Sequence, residues 1–448
     1  MMKSDTFSIK ALIFDTSGKL RSPVVLFFTA FVIRLIYLIV VLANNDRTAL
    51  SEMFADTAIY LRAADYLFGI NTNGQYELYM VGAGYPFFLG ACKAMFGNSF
   101  WPVLFFQVVL SSLSCVMICK IADLLLNNRL IAFVAGMISV LSITSISLSA
   151  SLLTETLFFF LLTLSLYLFI KGLSSRRWRY FVTAGICGGL MVVVRSAAMF
   201  IPLIFIALVF LIPSPGNAGN IKLIFKRSLA AVLIMILMPS MWAVKNKISH
   251  DILTLSGTGI GAAKVYLTAQ VLYSVSNRPS WEFTAYRDSL SRSSMTDFRA
   301  GEFKKAQSEA YDLVVSTFKR HPLEYFKKYF SNVWENVTAI SSLQNNQLPA
   351  LENYSGWFYP LRWGYQSPVM LILSLIGLAI IFRKNIKTAL ALGLFLMYFG
   401  LLSGVTFWQG SRIFYPAQVV QTILAATTLV FLYDLIILHG VRRFFARK

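Results

Sequence analysis

Leu152–Arg179 reads LLTETLFFFLLTLSLYLFIKGLSSRRWR. As far as Ile170 it is apolar, apart from one carboxylate, Glu155, and a few hydroxyls. From Lys171 onward it carries Arg176, Arg177 and Arg179. A bilayer core is crossed by about 20 mostly apolar residues, and a basic cluster beside such a run marks a loop kept on the cytoplasmic side. The stretch therefore reads as a membrane span with its basic end inside and Glu155 at its outer rim.

The whole chain has the same character. Of its 448 residues 57% are hydrophobic and 13% charged, and the mean hydropathy is +0.66. Soluble domains carry roughly 25% charged residues, so this is a polytopic, all-α membrane protein. The net charge of +20 is spread between apolar runs. That follows the positive-inside rule, with some cations meeting lipid phosphates, and argues against nucleic acid as a partner. Cys92, Cys115, Cys119 and Cys187 sit in apolar runs without a CxxC and read as small buried hydrophobes. His250, His321 and His439 are scattered and make no metal pattern.

Working outward, apolar runs at 23–43, 101–126, 130–147, 152–170, 180–194, 197–212, 228–244, 366–382, 388–407 and 415–438 give ten spans of an expected 10–12. The first is too long for a signal-peptide core and reads as an uncleaved span. Lys3, Lys10, Lys19 and Arg21 precede it, and Arg442, Arg443, Arg447 and Lys448 follow the last, so both termini are expected in the cytoplasm. Every strongly basic short loop then falls on one side. Three regions follow: an N-terminal transmembrane catalytic module, 1–244, with its first outer loop at 44–100; an extracytoplasmic domain, 245–365; and C-terminal transmembrane helices with a cytoplasmic tail, 366–448.

The first outer loop is amphipathic. Taken as a helix from Leu50 to Phe68, it puts Leu50, Met53, Phe54, Leu61, Ala64 and Phe68 on one face. Glu52, Asp56 and Tyr60 form an i, i+4 row at the border of that face. Such a helix lies in a membrane interface and holds Asp56 at the waterline. The run 85–96 contains Lys93 and is too short to span, so it reads as an interfacial segment.

Ionisable groups in or beside spans are costly and are functional candidates by default. Arg34, inside the first span, has a plain structural alternative as a helix–helix hydrogen-bonding group. Glu155 has another, as a dipole-favoured carboxylate beside an N-cap Thr154. Topology nonetheless puts Asp56 and Glu155 on one side of the membrane with Arg195, Lys245, Lys264 and Arg412. A carboxylate can take a proton from an attacking hydroxyl or amine, and the cations can stabilise a phosphate leaving group. At a membrane surface that phosphate belongs to a lipid.

Six short motifs occur in order. They are Asp56-x-x-x-Tyr60-x-x-x-Ala64-x-x-Leu67-x-Gly69 with Gly84-Tyr85-Pro86; Leu153-Thr154-Glu155-Thr156-Leu157-Phe158; Gly188-Gly189-Leu190 running to Arg195; Pro239-Ser240-Met241-Trp242-Ala243-Val244-Lys245-Asn246, with the small residues Leu255–Gly261 after it; His321-Pro322-Leu323-Glu324-Tyr325-Phe326; and Gly410-Ser411-Arg412-Ile413-Phe414-Tyr415-Pro416. In this order they resemble the bacterial integral-membrane glycosyltransferases of the C-type fold. The likeness is to family 39, the protein-mannosyltransferase-like group that includes aminoarabinose transferases acting on lipid A.

The resemblance implies an inverting transferase in the bacterial inner membrane with its active site on the periplasmic side. The donor would be a polyprenyl-phosphate-linked sugar and the acceptor a cell-envelope glycan such as lipopolysaccharide, a lipid or a protein. It gives Asp56 the role of general base and Glu155 that of orienting the sugar or acceptor, or of assisting a cation. Arg195, Lys245 and Arg412 would bind the lipid phosphate. Tyr60, Trp242 and Trp408 would stack on the sugar, although interfacial aromatics are also plain anchors. No cofactor is certain, and a divalent cation is left open. Thr57 stands where many relatives have a second acid, which weighs against a metal role. Lys245 replaces an arginine and lacks its planar fork. The competing readings are an O-antigen-type polymerase or ligase, and a transporter or flippase of lipid-linked sugars. A transporter should show inverted repeats and midplane charges, and neither is visible.

Overall fold

A computed structural model describes residues 22–72, 74–212, 221–276, 278–292, 300–339, 343–348, 368–407 and 409–445. No strand occurs among them. Helix α1 (Ser22–Asn44) is followed by four short helices: α2 (Arg47–Glu52), α3 (Ala55–Leu67), α4 (Gln75–Val81) and α5 (Gly84–Phe96). The chain then forms α6 (Trp101–Leu126), the bent pair α7 (Arg129–Val140) and α8 (Ile143–Ser149), α9 (Glu155–Ser175), α10 (Trp178–Val194), α11 (Ile201–Leu211) and α12 (Ile221–His250). The hydrophilic stretch after it holds α13 (Thr258–Ala262), a π-helical turn (Ala263–Thr268), α14 (Ala269–Val275), α15 (Phe283–Arg292), α16 (Ala300–Arg320), α17 (Pro322–Thr338) and α18 (Leu343–Gln347). Helices α19 (Pro368–Lys384), α20 (Ile386–Ser403), α21 (Ser411–Phe414) and α22 (Gln418–Phe445) close the described chain.

Each of the ten expected spans coincides with an apolar helix or helix pair. Among the described residues, six helices are long and apolar enough to cross a bilayer alone, and α7 with α8 makes a seventh across a 53° bend. Counting the shorter α10, α11 and α19 reaches ten. The lower bound of the expected 10–12 is thus met only with short helices.

The bend explains Arg34. Breaking a helix inside a membrane frees backbone carbonyls that lipid cannot satisfy. Arg34, fully buried, donates to the carbonyls of Ser139 and Val140 at 3.2 and 3.1 Å, to Ser145 Oγ at 3.0 Å and to Ser111 Oγ at 2.8 Å. Its structural alternative therefore holds: the guanidinium ties α1 and α6 to the break.

Small residues set the close approaches around the site. On α10, a Cβ at Gly185 would lie 2.8 Å from the Ala231 carbonyl oxygen of α12, and one at Gly188 would lie 2.7 Å from Met235. Gly84 opens α5 against the end of α10, where a Cβ would stand 2.6 Å from the Val194 backbone. The glycine-rich span is therefore a packing stripe, and it fixes where Arg195 emerges.

The first outer loop departs from the expected single helix. Met53 and Phe54 interrupt it, and Phe54 is extended at φ −131°, ψ 140°. The Glu52–Asp56–Tyr60 row is thus broken, and Asp56 falls in the first turn of α3. The buried face of α3 is Thr57, Tyr60, Ala63 and Ala64, because α3 packs on α4 and α5 instead of lying free in an interface. Lys93 on the short α5 pairs with Asp65 of α3, which neutralises the one charge in that apolar helix.

The hydrophilic stretch is tied down over these helices. Ser256 Oγ donates to the Met80 carbonyl at 2.8 Å, and the Gly257 N–H to the Tyr79 carbonyl at 2.9 Å. Asn336 Nδ2 donates to the carbonyls of Ser403 and Thr406 at 3.0 and 2.7 Å. His321 precedes α17 and Pro322 stands in its first turn, where proline costs no hydrogen bond.

Candidate active site

Four charged groups from four distant elements meet at one rim of the bundle. Asp56 stands in the first turn of α3, where the helix dipole favours an anion. Glu155 opens α9. Arg195 caps the end of α10 in extended conformation. Arg412 lies in α21 just after Gly410, whose φ of +55° is a conformation that side-chain-bearing residues rarely adopt. That left-handed turn is the local reason for glycine in the last motif.

The geometry centres on Arg412. Its Nη2 is 2.5 Å from Asp56 Oδ2, and its Nε is 2.5 Å from Glu155 Oε1. Arg195 Nη1 lies 2.8 Å from the same Glu155 oxygen, but without hydrogen-bond alignment, so that contact is an ion pair rather than a directed bond. The two carboxylates differ in access. The Glu155 side chain is 0% exposed and the Asp56 side chain 40%. Glu155 is thus a sealed counter-ion for two arginines, and Asp56 is the carboxylate open to the space beside it. The expected capping role of Thr154 is not what the structure has: its hydroxyl donates to Glu155 Oε2 at 3.2 Å and makes no cap bond.

Two cavities meet here. One, of about 860 Å³, is walled by apolar side chains including Phe158, Met199, Phe200 and Phe399, with Arg195 as its cation. The other, of about 360 Å³, is lined by Asp56, Tyr76, Lys264, Tyr266, Phe303 and Gln307, among others. Thr258 and Ala262 of α13 belong to both linings, so this short helix is the partition between them.

Not every residue expected at the site is brought to it. Tyr60 is buried edge-to-face on Tyr85, with ring centroids 5.1 Å apart, and lines neither cavity. Burial, and then the nearby Asp56 and Glu155 charges, push its phenol well above the ordinary range. Trp242 packs against the buried cluster of Ala63, Leu78 and Ala83, and its indole N–H has no hydrogen-bond partner among the described residues. The Lys245 ammonium sits 4.8 Å from the Trp242 ring centroid, on an exposed side chain outside both linings. Trp408 lies outside the described residues. Thr57 is fully buried, and its Oγ1 donates to the Leu152 carbonyl at 3.4 Å. Among the described residues, no three His, Cys, Asp or Glu side chains converge as a metal site. Between Asp56 and Glu155 stands the Arg412 guanidinium.

Sequence reasoning gave no weight to Tyr266, Phe303 and Gln307, and placed Lys264 only by side. Burial raises the Tyr266 phenol pKa, with the Asp56 charge adding to it, and lowers that of Lys264. Lys264 and Tyr266 sit on a π-helical turn too short to show a period, and Phe303 and Gln307 on the long helix α16, whose pattern does not say what its faces meet.

Residues 81–242 match the family model for dolichyl-phosphate-mannose-protein mannosyltransferase. That segment holds Glu155 and Arg195 but neither Asp56 nor Arg412. No curated protein matches the sequence. Among solved structures, the chain is similar to the archaeal oligosaccharyltransferase AglB from Archaeoglobus fulgidus, in complex with an inhibitory peptide and a dolichol-phosphate. The identity is 14%, the TM-score 0.51, and 94% of this chain and 51% of that one are covered. The apo form of the Archaeoglobus fulgidus oligosaccharyltransferase gives a TM-score of 0.52 at 14% identity, covering 94% and 52%. The chain thus spans about half the length of these enzymes. It is a multi-pass membrane protein with the C-type glycosyltransferase fold.

Proposed function

We propose that this protein is an inverting glycosyltransferase that moves a sugar from a polyprenyl-phosphate donor to an acceptor on the extracytoplasmic side of a bacterial inner membrane. The observation that carries the reading is the reachable Asp56 carboxylate, held by Arg412 against the sealed Glu155, where two cavities meet.

The apolar cavity suits the first isoprene units of the donor, with its phosphate toward Arg195 and Arg412. The smaller cavity suits the acceptor, with Asp56, Lys264 and Tyr266 as polar groups on its wall. The acceptor oxygen or nitrogen attacks the anomeric carbon, its proton passes to Asp56, and the bond from that carbon to the phosphate oxygen breaks. Polyprenyl phosphate leaves carrying the electron pair, its negative charge stabilised by the guanidinium groups. Glu155 is a positioning residue: with no accessible surface, it orients Arg195 and Arg412 and touches no substrate. Lys245 and Tyr60 have no part in the bond-making.

Mass spectrometry of envelope glycans and lipid-linked sugars, with and without the gene, tests the reading. A missing sugar together with an accumulated single-sugar donor supports it. Accumulated full repeat units would replace it with a polymerase, and a missing sugar whose donor is trapped on the cytoplasmic face would replace it with a flippase.

A further inference from the structure

The other end of α9 carries a second charged constellation. Between Glu155 and Asp251 the chain contains no Asp or Glu, only Lys and Arg. Arg176, Arg177, Trp178 and Arg179 form the turn into α10, and together with Arg227 of α12 they line one cavity of about 390 Å³. A basic loop that only signals topology has no need of such convergence. Here Arg227 comes from a different helix and donates to the Arg176 carbonyl. Arg176 itself sits in the left-handed region at φ 58°, a conformation costing about 1 kcal/mol or more for a non-glycine residue. Lys171 and Arg179 lie over the Tyr180 ring, each 5.1 Å from its centroid. Packing like charges around one space is unfavourable unless an anion fills it.

We propose that this cavity binds the phosphate of an anionic phospholipid head group. Planar guanidinium forks match phosphate oxygens in pairs, which ammonium groups cannot do. A lipid fits better than a free anion because of what adjoins the cavity. Trp178 is 64% exposed, as interfacial anchors are. From Arg227 the exposed residues Leu229, Leu233, Ile236 and Leu237 continue along α12, an apolar face on which acyl chains can lie. Basic pockets between membrane helices are known head-group sites. The cavity is separated from Asp56 and Arg412 by the length of α9, about 30 Å at 1.5 Å per residue, so the site is independent of the proposed transferase chemistry.

The test is native mass spectrometry of the purified full chain titrated with phosphatidylglycerol, phosphatidylcholine or inorganic phosphate, read alongside thermal stability. Wild type should retain and be stabilised by phosphatidylglycerol over phosphatidylcholine. The double variant R177Q/R179Q, which leaves the Arg227–Arg176 bond in place, should lose that preference by about tenfold or more. Arg129→Gln, at a separate basic turn, is the control and should bind as wild type. If the double variant does not fold, R177K/R179K keeps the charge and should still weaken binding by removing the forks. Equal retention of the two lipids by wild type, or a folded variant that binds like wild type, overturns the proposal. Stabilisation by inorganic phosphate as strong as by phosphatidylglycerol overturns the lipid assignment.

Discussion

Asp56 and Arg412 are 356 positions apart in sequence, and their side chains are 2.5 Å apart in space. The contact joins the first outer loop to the last motif before the final helix. It also leaves Asp56 with one oxygen committed to the guanidinium on a side chain that is still partly open to the smaller cavity. A base that must be both oriented and reachable needs this combination.

Asp56→Asn should therefore cut transfer by about 10²–10⁴-fold, the usual contribution of a positioned general base. The amide can still accept from Arg412, so folding and donor binding should hold. Turnover of a lipid-linked sugar by the purified protein, beside a donor-binding measurement, checks this. Near-full turnover would remove the base assignment.

Arg412 should tolerate lysine poorly. A lysine ammonium is a single point and cannot meet two carboxylates through separate Nε and Nη2 groups. Arg412→Lys should fold but lose at least about tenfold in turnover. Glu155→Gln removes the buried counter-ion of two arginines and should destabilise by about 3–5 kcal/mol, the typical cost of breaking a buried pair. Thermal unfolding in detergent separates the two effects. A Glu155→Gln protein as stable as wild type would show that the ion pair is not holding the rim together.

Most of the fold was legible because membrane spans announce themselves by length and apolarity, and the basic loops by charge. Asp56, Glu155, Arg195 and Arg412 were legible too, since charges beside spans are rare and side assignment groups them. Distance hid the rest. Nothing local says that Arg412 turns toward Glu155, or that Lys245 settles on Trp242 instead of joining the cluster. Tyr60 carries the polar atom of a substrate contact, yet tertiary packing against Tyr85 decides that it is buried. The break at Phe54 was missed because its residues continue the helical apolar pattern, so periodicity runs straight through it.

Gly84 should be intolerant of any side chain. A Cβ would stand 2.6 Å from the Val194 backbone, the residue before Arg195. Gly84→Ala must push α5 off the end of α10, at a cost of about 1–3 kcal/mol for overpacking. Because Arg195 follows directly, turnover should fall more than stability does. Gly69→Ala offers a contrast, with no atom within 4 Å of its Cβ and strain only from its φ of +70°. Equal activity in Gly84→Ala and wild type would free Arg195 from this packing.

Tyr60 sets a pH expectation. Its phenol is pushed above its ordinary value by burial. A raised folded pKa means that its stabilisation is fully present below the unfolded pKa of about 10 and is lost as pH climbs through the folded value. Tyr60→Phe should leave the pH–rate profile unchanged below pH 10. The stability difference between wild type and variant should shrink only above that. A shifted profile near neutrality would return Tyr60 to the chemistry.

Thr57 decides whether Asp56 works alone. Many proteins with the resembling motif carry an acid at that place, so Thr57→Asp is the natural attempt to restore a carboxylate pair. Here the position is fully buried, and its oxygen faces the Leu152 carbonyl. A carboxylate would meet another acceptor without water to solvate it, which costs several kcal/mol or forces protonation. Thr57→Asp should therefore lose thermal stability and gain no activity on adding divalent cations, whereas Thr57→Ser, which keeps the hydroxyl, should stay near wild type in both. A folded Thr57→Asp protein whose turnover rises with added cation would mean that the pocket beneath Asp56 can open, and that the single-carboxylate reading of this site is wrong.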